Sequence, residues 1–223
     1  MRKSNLKTAI VACKTLEAEL LFAIQKAGIS YPVMWIESGL HNTPEKLAAT
    51  LQGILDSITA QRVLAALGFC GNSIQGIKAG GFELIIPRVD DCISLLLGSV
   101  KSRSVISGKY AAYFLTEGWM RGKQNLWVEY QDMREKYGEE QAQSIAEMMY
   151  GNYRTLCLLD SGVEPIGALT NKTKIIADTL GLKQKVIPAT VEYIENLLTG
   201  PWEESKFLIK APGETITAED LYY

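Results

Sequence analysis

The stretch Lys7-Thr8-Ala9-Ile10-Val11-Ala12, followed by the amphipathic run Leu16–Ala27 that Gly28 closes and by Val33-Met34-Trp35-Ile36, decides the fold. A short aliphatic run, a helix ended by glycine and a second apolar run make a β-α-β unit with parallel strands. The alternation continues outward from it. His41-Asn42-Thr43-Pro44-Glu45 carries the signals of a helix start, with Thr43 as N-cap, Pro44 at the first helical position and Glu45 in the first turn, and this helix is predicted to about Ile58. Arg62–Phe69 reads as the third strand and leaves through Cys70-Gly71-Asn72-Ser73 into a short helix that stops near Gly80-Gly81. Glu83–Ile86 is the fourth strand, and Pro87-Arg88-Val89-Asp90-Asp91-Cys92 leads from it into another helix, with the Asp pair suited to its N-terminus.

Beyond the polar stretch Lys101-Ser102-Arg103-Ser104 the pattern resumes, with strands predicted at Tyr110–Leu115, Thr155–Leu159, Lys185–Pro188 and Lys206–Lys210. Helices are predicted at Gln124–Tyr153, interrupted at Gly138, and at Asn171–Leu180 and Val191–Leu198. Strands alternating with helices imply an α/β fold, a mainly parallel sheet with helices on both faces. No linker rich in Pro, Gly and Ser divides the chain. The expectation is one domain over residues 1–223, or two lobes of about 1–105 and 106–223 around a cleft.

Composition narrows the function. The 223 residues carry 23 Lys+Arg against 25 Asp+Glu, a net charge of −2, with 47% hydrophobic residues. Near-neutral charge without a basic stripe argues against a nucleic-acid partner. No apolar run approaches the roughly 20 residues of a membrane helix, and the N-terminal stretch runs into Glu17 and Glu19 without a small-residue cleavage site. A cytoplasmic protein with no membrane partner is expected. A core of this size needs no metal for folding, so a metal here would serve function.

In a parallel sheet all carboxyl ends open on one edge, and ligands bind in the crevice outside it. Cys13 follows the first strand, Cys70 the third and Cys92 the fourth, so three thiols fall at three exits on that edge. If the strands are neighbours, the thiols face a common point, and soft thiolates suit zinc and iron–sulfur clusters. Free cysteine is equally at home as a small core hydrophobe, and no CxxC pair is present. Cys157, between Leu156 and Leu158, reads as core. His41, the sole histidine, lies at the same edge as a candidate fourth ligand or a solvated residue near a helix start. Glu17 is a candidate carboxylate, or simply an acid in a first helical turn. Asp90 and Asp91 are helix caps with Arg88 as ion-pair partner, or a support for the site. Gly71 and Asn72, whose turn could cradle an anion, and Thr116 and Trp119, after the Tyr110–Leu115 strand, are candidate cofactor-binding residues. The spacing matches neither GxGxxG nor GxxxxGK[ST], and there is no GxSxG elbow, so neither nucleotide binding through those motifs nor a Ser-His-Asp hydrolase is supported.

Leu67-Gly68-Phe69-Cys70-Gly71-Asn72, Ile86-Pro87-Arg88-Val89-Asp90-Asp91-Cys92, Leu97-Gly98-Ser99 and Tyr113-Phe114-Leu115-Thr116-Glu117-Gly118-Trp119 resemble the family catalogued as domain of unknown function 1638. The likeness extends to Cys13, His41-Asn42-Thr43-Pro44 and Leu159-Asp160-Ser161-Gly162. The family implies no established activity. It implies an anaerobic bacterial or archaeal setting, often beside corrinoid-dependent methyltransferases. Relatives often place a histidine where this chain has Asp90.

Two functions are expected to compete. In the first, Cys13, Cys70 and Cys92, with His41, hold zinc or a 4Fe–4S cluster in anaerobic one-carbon or corrinoid metabolism. In the second, a non-catalytic accessory protein binds a small molecule, a corrinoid or a methyltransferase partner without metal, with Trp119 and Tyr113 as a stacking wall.

Overall fold

The computed structural model describes residues 7–122 and 124–222. Strand β1 (Thr8–Cys13) pairs in parallel with β2 (Val33–Ile36) on one side and β3 (Arg62–Ala66) on the other. Beyond β3 lie β4 (Glu83–Pro87), parallel, and β8 (Phe207–Lys210), antiparallel, giving the order β2-β1-β3-β4-β8. Side chains alternate across the pleat. Ile10, Ala12, Leu64, Ala66 and Ile85 enter one core, with α1 (Glu17–Ala27), α3 (Cys92–Leu96) and α9 (Glu192–Thr199). Val11, Val63, Ala65, Leu84 and Ile86 enter another, with α2 (Pro44–Ser57). Helices thus cover both faces of a mainly parallel sheet, as the alternation implies.

The remaining strands, β5 (Ala112–Leu115), β6 (Thr155–Asp160) and β7 (Lys183–Pro188), form a second, wholly parallel sheet. One face, with Leu156 and Leu158, packs against α6 (Leu126–Tyr137), α7 (Glu139–Tyr150) and α8 (Ile166–Thr179). The other face contributes Cys157, Leu159 and Ile187 to the first sheet's core. The two sheets share apolar packing. The chain leaves the first sheet after α4 (Val100–Tyr110), builds the second, and returns with α9 and β8. Residues 189–222 therefore belong with the first sheet.

Two local expectations differ from the structure. No helix follows Ser73: the segment makes only isolated turn bonds with itself, such as Gln75 N–H to Asn72 O (3.0 Å), Gly76 takes φ +84°, and the chain then bonds to the C-terminal stretch through Gly76 N–H to Ile216 O (2.8 Å), Ile216 N–H to Ile77 O (2.8 Å) and Ala79 N–H to Glu214 O (2.8 Å). The polar stretch Lys101–Ser104 lies inside α4, which Ser99 caps by accepting from Ser102 N–H at 3.0 Å. α4 buries no residue fully, so it carries no apolar stripe to betray it. The exit after Leu115 is a short helix, α5 (Glu117–Arg121), capped by Thr116. Gly138 does break the long helical region into α6 and α7. No helix among the described residues is long and apolar enough to cross a membrane.

Candidate functional site

The strand order reverses at β1: β2 lies on one side, β3 and β4 on the other. Such a reversal leaves a crevice at the carboxyl edge because the flanking connections diverge. A cavity of about 480 Å³ lies there, lined by Cys13, Cys70 and Cys92 from the exits of three successive neighbouring strands. His41 joins them from the turn after β2, and Trp119 and Tyr113 from the second sheet's side.

The backbone builds this convergence. Gly68 packs so close to the next loop that a Cβ would lie 2.5 Å from Asp91 Cα. Phe69 N–H and Cys70 N–H donate to Val89 O (2.9 Å) and Asp90 O (2.7 Å). The loop bearing Cys70 is thereby fastened to the loop leading into Cys92. Cys70, Gly71 and Asn72 all take left-handed conformations, with φ of +45°, +66° and +67°. For Cys70 this is sterically costly and persists only because those bonds hold it.

The Cys92 thiol contacts both Cys13 and Cys70. Hydrogen bonding to Cys92 and burial hold the Cys13 thiol well above its ordinary value, against the opposing bond from Thr15 Oγ1 at 3.0 Å. For Cys92 the bond with Cys13 pulls downward, but the bond with Cys70, burial and the charges of Cys70 and Asp91 prevail and push it up. Both are therefore protonated thiols at neutral pH. Among the described residues, no group of three or more His, Cys, Asp or Glu side chains is arranged to hold a metal ion. Two S–H protons and a chain-like arrangement thus stand between the resting trio and any metal.

His41 meets Trp119 edge to face at 6.0 Å, and burial lowers its pKa despite the charges of Asp91 and Glu129. Its imidazole is neutral at pH 7. Asp91 caps α3, accepting from Ser94 N–H at 2.8 Å. Its other oxygen lies 2.9 Å from Arg103 Nε, a charge contact whose N–H direction misses the oxygen and leaves Nε without a hydrogen bond. Asp91 thus pairs with Arg103, while Arg88 donates to Glu204 O (2.7 Å) and Asp220 O (2.6 Å).

The candidate residues divide as follows. Cys13, Cys70, Cys92, His41, Gly71 and Trp119 line the cavity, as do Asp90 and Asp91. Asn72 and Thr116 do not: Asn72 completes the left-handed turn, and Thr116 is a buried cap whose hydroxyl accepts from Trp119 N–H at 3.1 Å. Glu17 starts α1 outside the cavity, and it is Glu19 that is buried, accepting from Ser161 Oγ at 3.0 Å. Cys157 is fully buried, and burial raises its pKa to about 11. Arg103, Phe114 and Tyr153 also line the cavity, with the Arg103 guanidinium 5.9 Å from the Phe114 ring. Arg103 was hidden because α4 has no periodic signal. Phe114 was legible only as a strand residue.

The model of the family described as "Protein of unknown function (DUF1638)" matches residues 35–198, more than half of the chain. The chain belongs to this family. No curated protein and no solved structure matches it. The DUF1638 match takes in His41, Cys70, Cys92 and Trp119 and begins after Cys13.

Proposed function

We propose that the protein acts in the cytoplasm as a metal- or cofactor-binding protein of anaerobic one-carbon or corrinoid methyl metabolism, with Cys13, Cys70 and Cys92 as the ligands of one centre. The observation that carries this reading is that thiols from the exits of three neighbouring parallel strands line one cavity, with Cys92 touching both others. Three soft donors suit zinc or a 4Fe–4S cluster, and neutral His41 is available as a fourth. With three thiolates bound, either centre keeps an open position where a substrate thiol or a small ligand could be activated. Loading takes a rearrangement of the thiol rotamers and the release of the protons held on Cys13 and Cys92, so uptake strengthens as pH rises. Trp119, Tyr113, Phe114 and Tyr153 supply an aromatic wall for a ligand with a flat face.

Protein purified without oxygen should contain stoichiometric zinc, or iron with matching sulfide, and Cys70→Ser should lose it while keeping its fold. Metal-free wild-type protein, or a fully metallated Cys70→Ser, overturns the reading. The runner-up is an accessory protein that binds a small molecule, a corrinoid or a methyltransferase partner without metal, and the absence of a ready metal-holding arrangement among the described residues favours it. For that reading, corrinoid binding to metal-free protein should survive Cys70→Ser and weaken in Trp119→Ala.

A further inference from the structure

We propose that Cys70 and Cys92 form a thiol–disulfide exchange couple in the cleft, with Cys70 the entering thiol, Cys92 the resolving thiol and a small organic disulfide as substrate. This goes beyond the metal reading and needs only the cavity and the thiols. Cys70 lines the cavity and is partly exposed, whereas Cys92 is 4% exposed directly beside it. Their proximity does not depend on side-chain packing. The two loops are joined by the Phe69–Val89 and Cys70–Asp90 backbone bonds and by the close approach that Gly68 permits to Asp91. The left-handed φ of +45° at Cys70 is a cost that ordinary burial of a small thiol would not require.

Exchange proceeds by attack of one thiol sulfur on a disulfide sulfur through a mixed disulfide. The Cys70 sulfur attacks the reagent RSSR, its S–S bond breaks, and one RSH leaves with the proton that Cys70 carried. The Cys92 sulfur then attacks the Cys70 sulfur of the mixed disulfide, the new S–S bond joins the two cysteines, and the second RSH leaves with the proton of Cys92. The reagent is reduced by two electrons and the protein oxidised by two. Cys13, touching Cys92 from the other side, remains a thiol.

The test uses reduced, chelator-treated, full-length protein under native conditions with bis(2-hydroxyethyl) disulfide. Two reagent thiols should be released per chain, with a Cys70–Cys92 peptide bridge, while Cys157 stays unmodified. Cys92→Ala should stop at a mixed disulfide on Cys70, and Cys92→Ser serves if alanine fails to fold. Cys70→Ala should form no bridge to Cys92, and any thiol it releases should be matched by a mixed disulfide on Cys13, which lines the same cavity. An unreactive native protein, a persistent mixed disulfide in the wild type, or a bridge that leaves Cys70 or Cys92 free overturns the couple. Metal content is measured separately before chelation. Bridging in a protein that never held metal removes only the metal reading, and failure to bridge after chelation of a metallated protein removes only the couple.

Discussion

Gly118 lies where a single added carbon has the clearest cost. A Cβ there would lie 2.0 Å from Thr15 O, in the turn just after Cys13, so the first residues of α5 can approach that turn only as glycine. The clash is with backbone, which cannot rotate away. Gly118→Ala should destabilise the protein by about 1–3 kcal/mol, read as a lower denaturation midpoint, and an unchanged midpoint would show that α5 does not rest on the Cys13 turn. Glu19 tests burial instead of contact. Desolvation holds its carboxyl above the ordinary value of 4.5, against the opposing hydrogen bonds of its own backbone and of Ser161. The folded state therefore binds the proton more tightly than the unfolded chain, and stability falls as pH rises from about the ordinary value through the raised one. Glu19→Gln, which keeps the Ser161 hydroxyl within bonding reach of an amide, should be at least as stable as wild type at pH 7. Its advantage should vanish at pH values below the ordinary carboxylate range. A constant difference across that range would show that Glu19 does not titrate differently on folding.

Elements show which features the sequence exposes and which it hides. The exits bearing Cys13, Cys70 and Cys92 are readable because β1, β3 and β4 are short aliphatic runs that each end at a turn; β1 and β3 are separated by helices, whereas the connection from β3 to β4 contains none and still returns the chain in parallel, putting all three ends on one edge. Their adjacency is not readable, since strand order depends on which way each connection crosses. The segment after Ser73 looks like a helix locally and is held open by partners some 140 residues later, around Glu214 and Ile216, which no local rule can see. α4 hides for the opposite reason: Ser99 signals its start, but it closes on Ala111 without a glycine and no face is deeply buried, and Arg103 is lost with it. Caps are readable only in part: Thr43 stands at the start of α2 where the sequence predicts a cap but makes no side-chain cap bond, while Asn125 caps a helix whose start the sequence places at Gln124. Asn125, 4% exposed, accepts from Trp127 N–H (3.0 Å) and Val128 N–H (3.1 Å) to start α6, and donates to Gly122 O (3.0 Å) at the end of α5. Asn125→Ala should cost about 1–2 kcal/mol, a fall of about 2–4 °C in melting temperature for each kcal/mol in a chain of this size. A fall of less than a degree would reduce the cap to a surface contact.

At the scale of the whole molecule, the second sheet is an excursion from the first that comes home through α9 and β8, and the core containing Ile10 and Leu64 also contains Cys157 and Ile187. Apolar packing runs unbroken from one sheet to the other, so the cleft is a recess in a continuous body and its walls are held by the same core. This arrangement gives the four cysteines two different fates. Cys13 and Cys70 line the recess and are partly exposed, while Cys157 is sealed between the sheets. A reagent reaches the first two through local motion, whereas Cys157 becomes accessible only when the shared core opens, which costs the global unfolding free energy. Iodoacetamide should therefore label Cys70 and Cys13 in native protein, with Cys157 labelled at a rate that follows denaturant concentration as unfolding does. Trp119 separates the two regimes. Its ring stands against His41 at 6.0 Å on the cavity wall, so Trp119→Ala should widen the recess and speed labelling of Cys13 and Cys70 under native conditions. If Trp119 serves the cleft, the denaturant dependence of Cys157 labelling should stay unchanged in the variant. A parallel acceleration at Cys157 would show that the indole supports the shared core, and the cleft role assigned to it would fall.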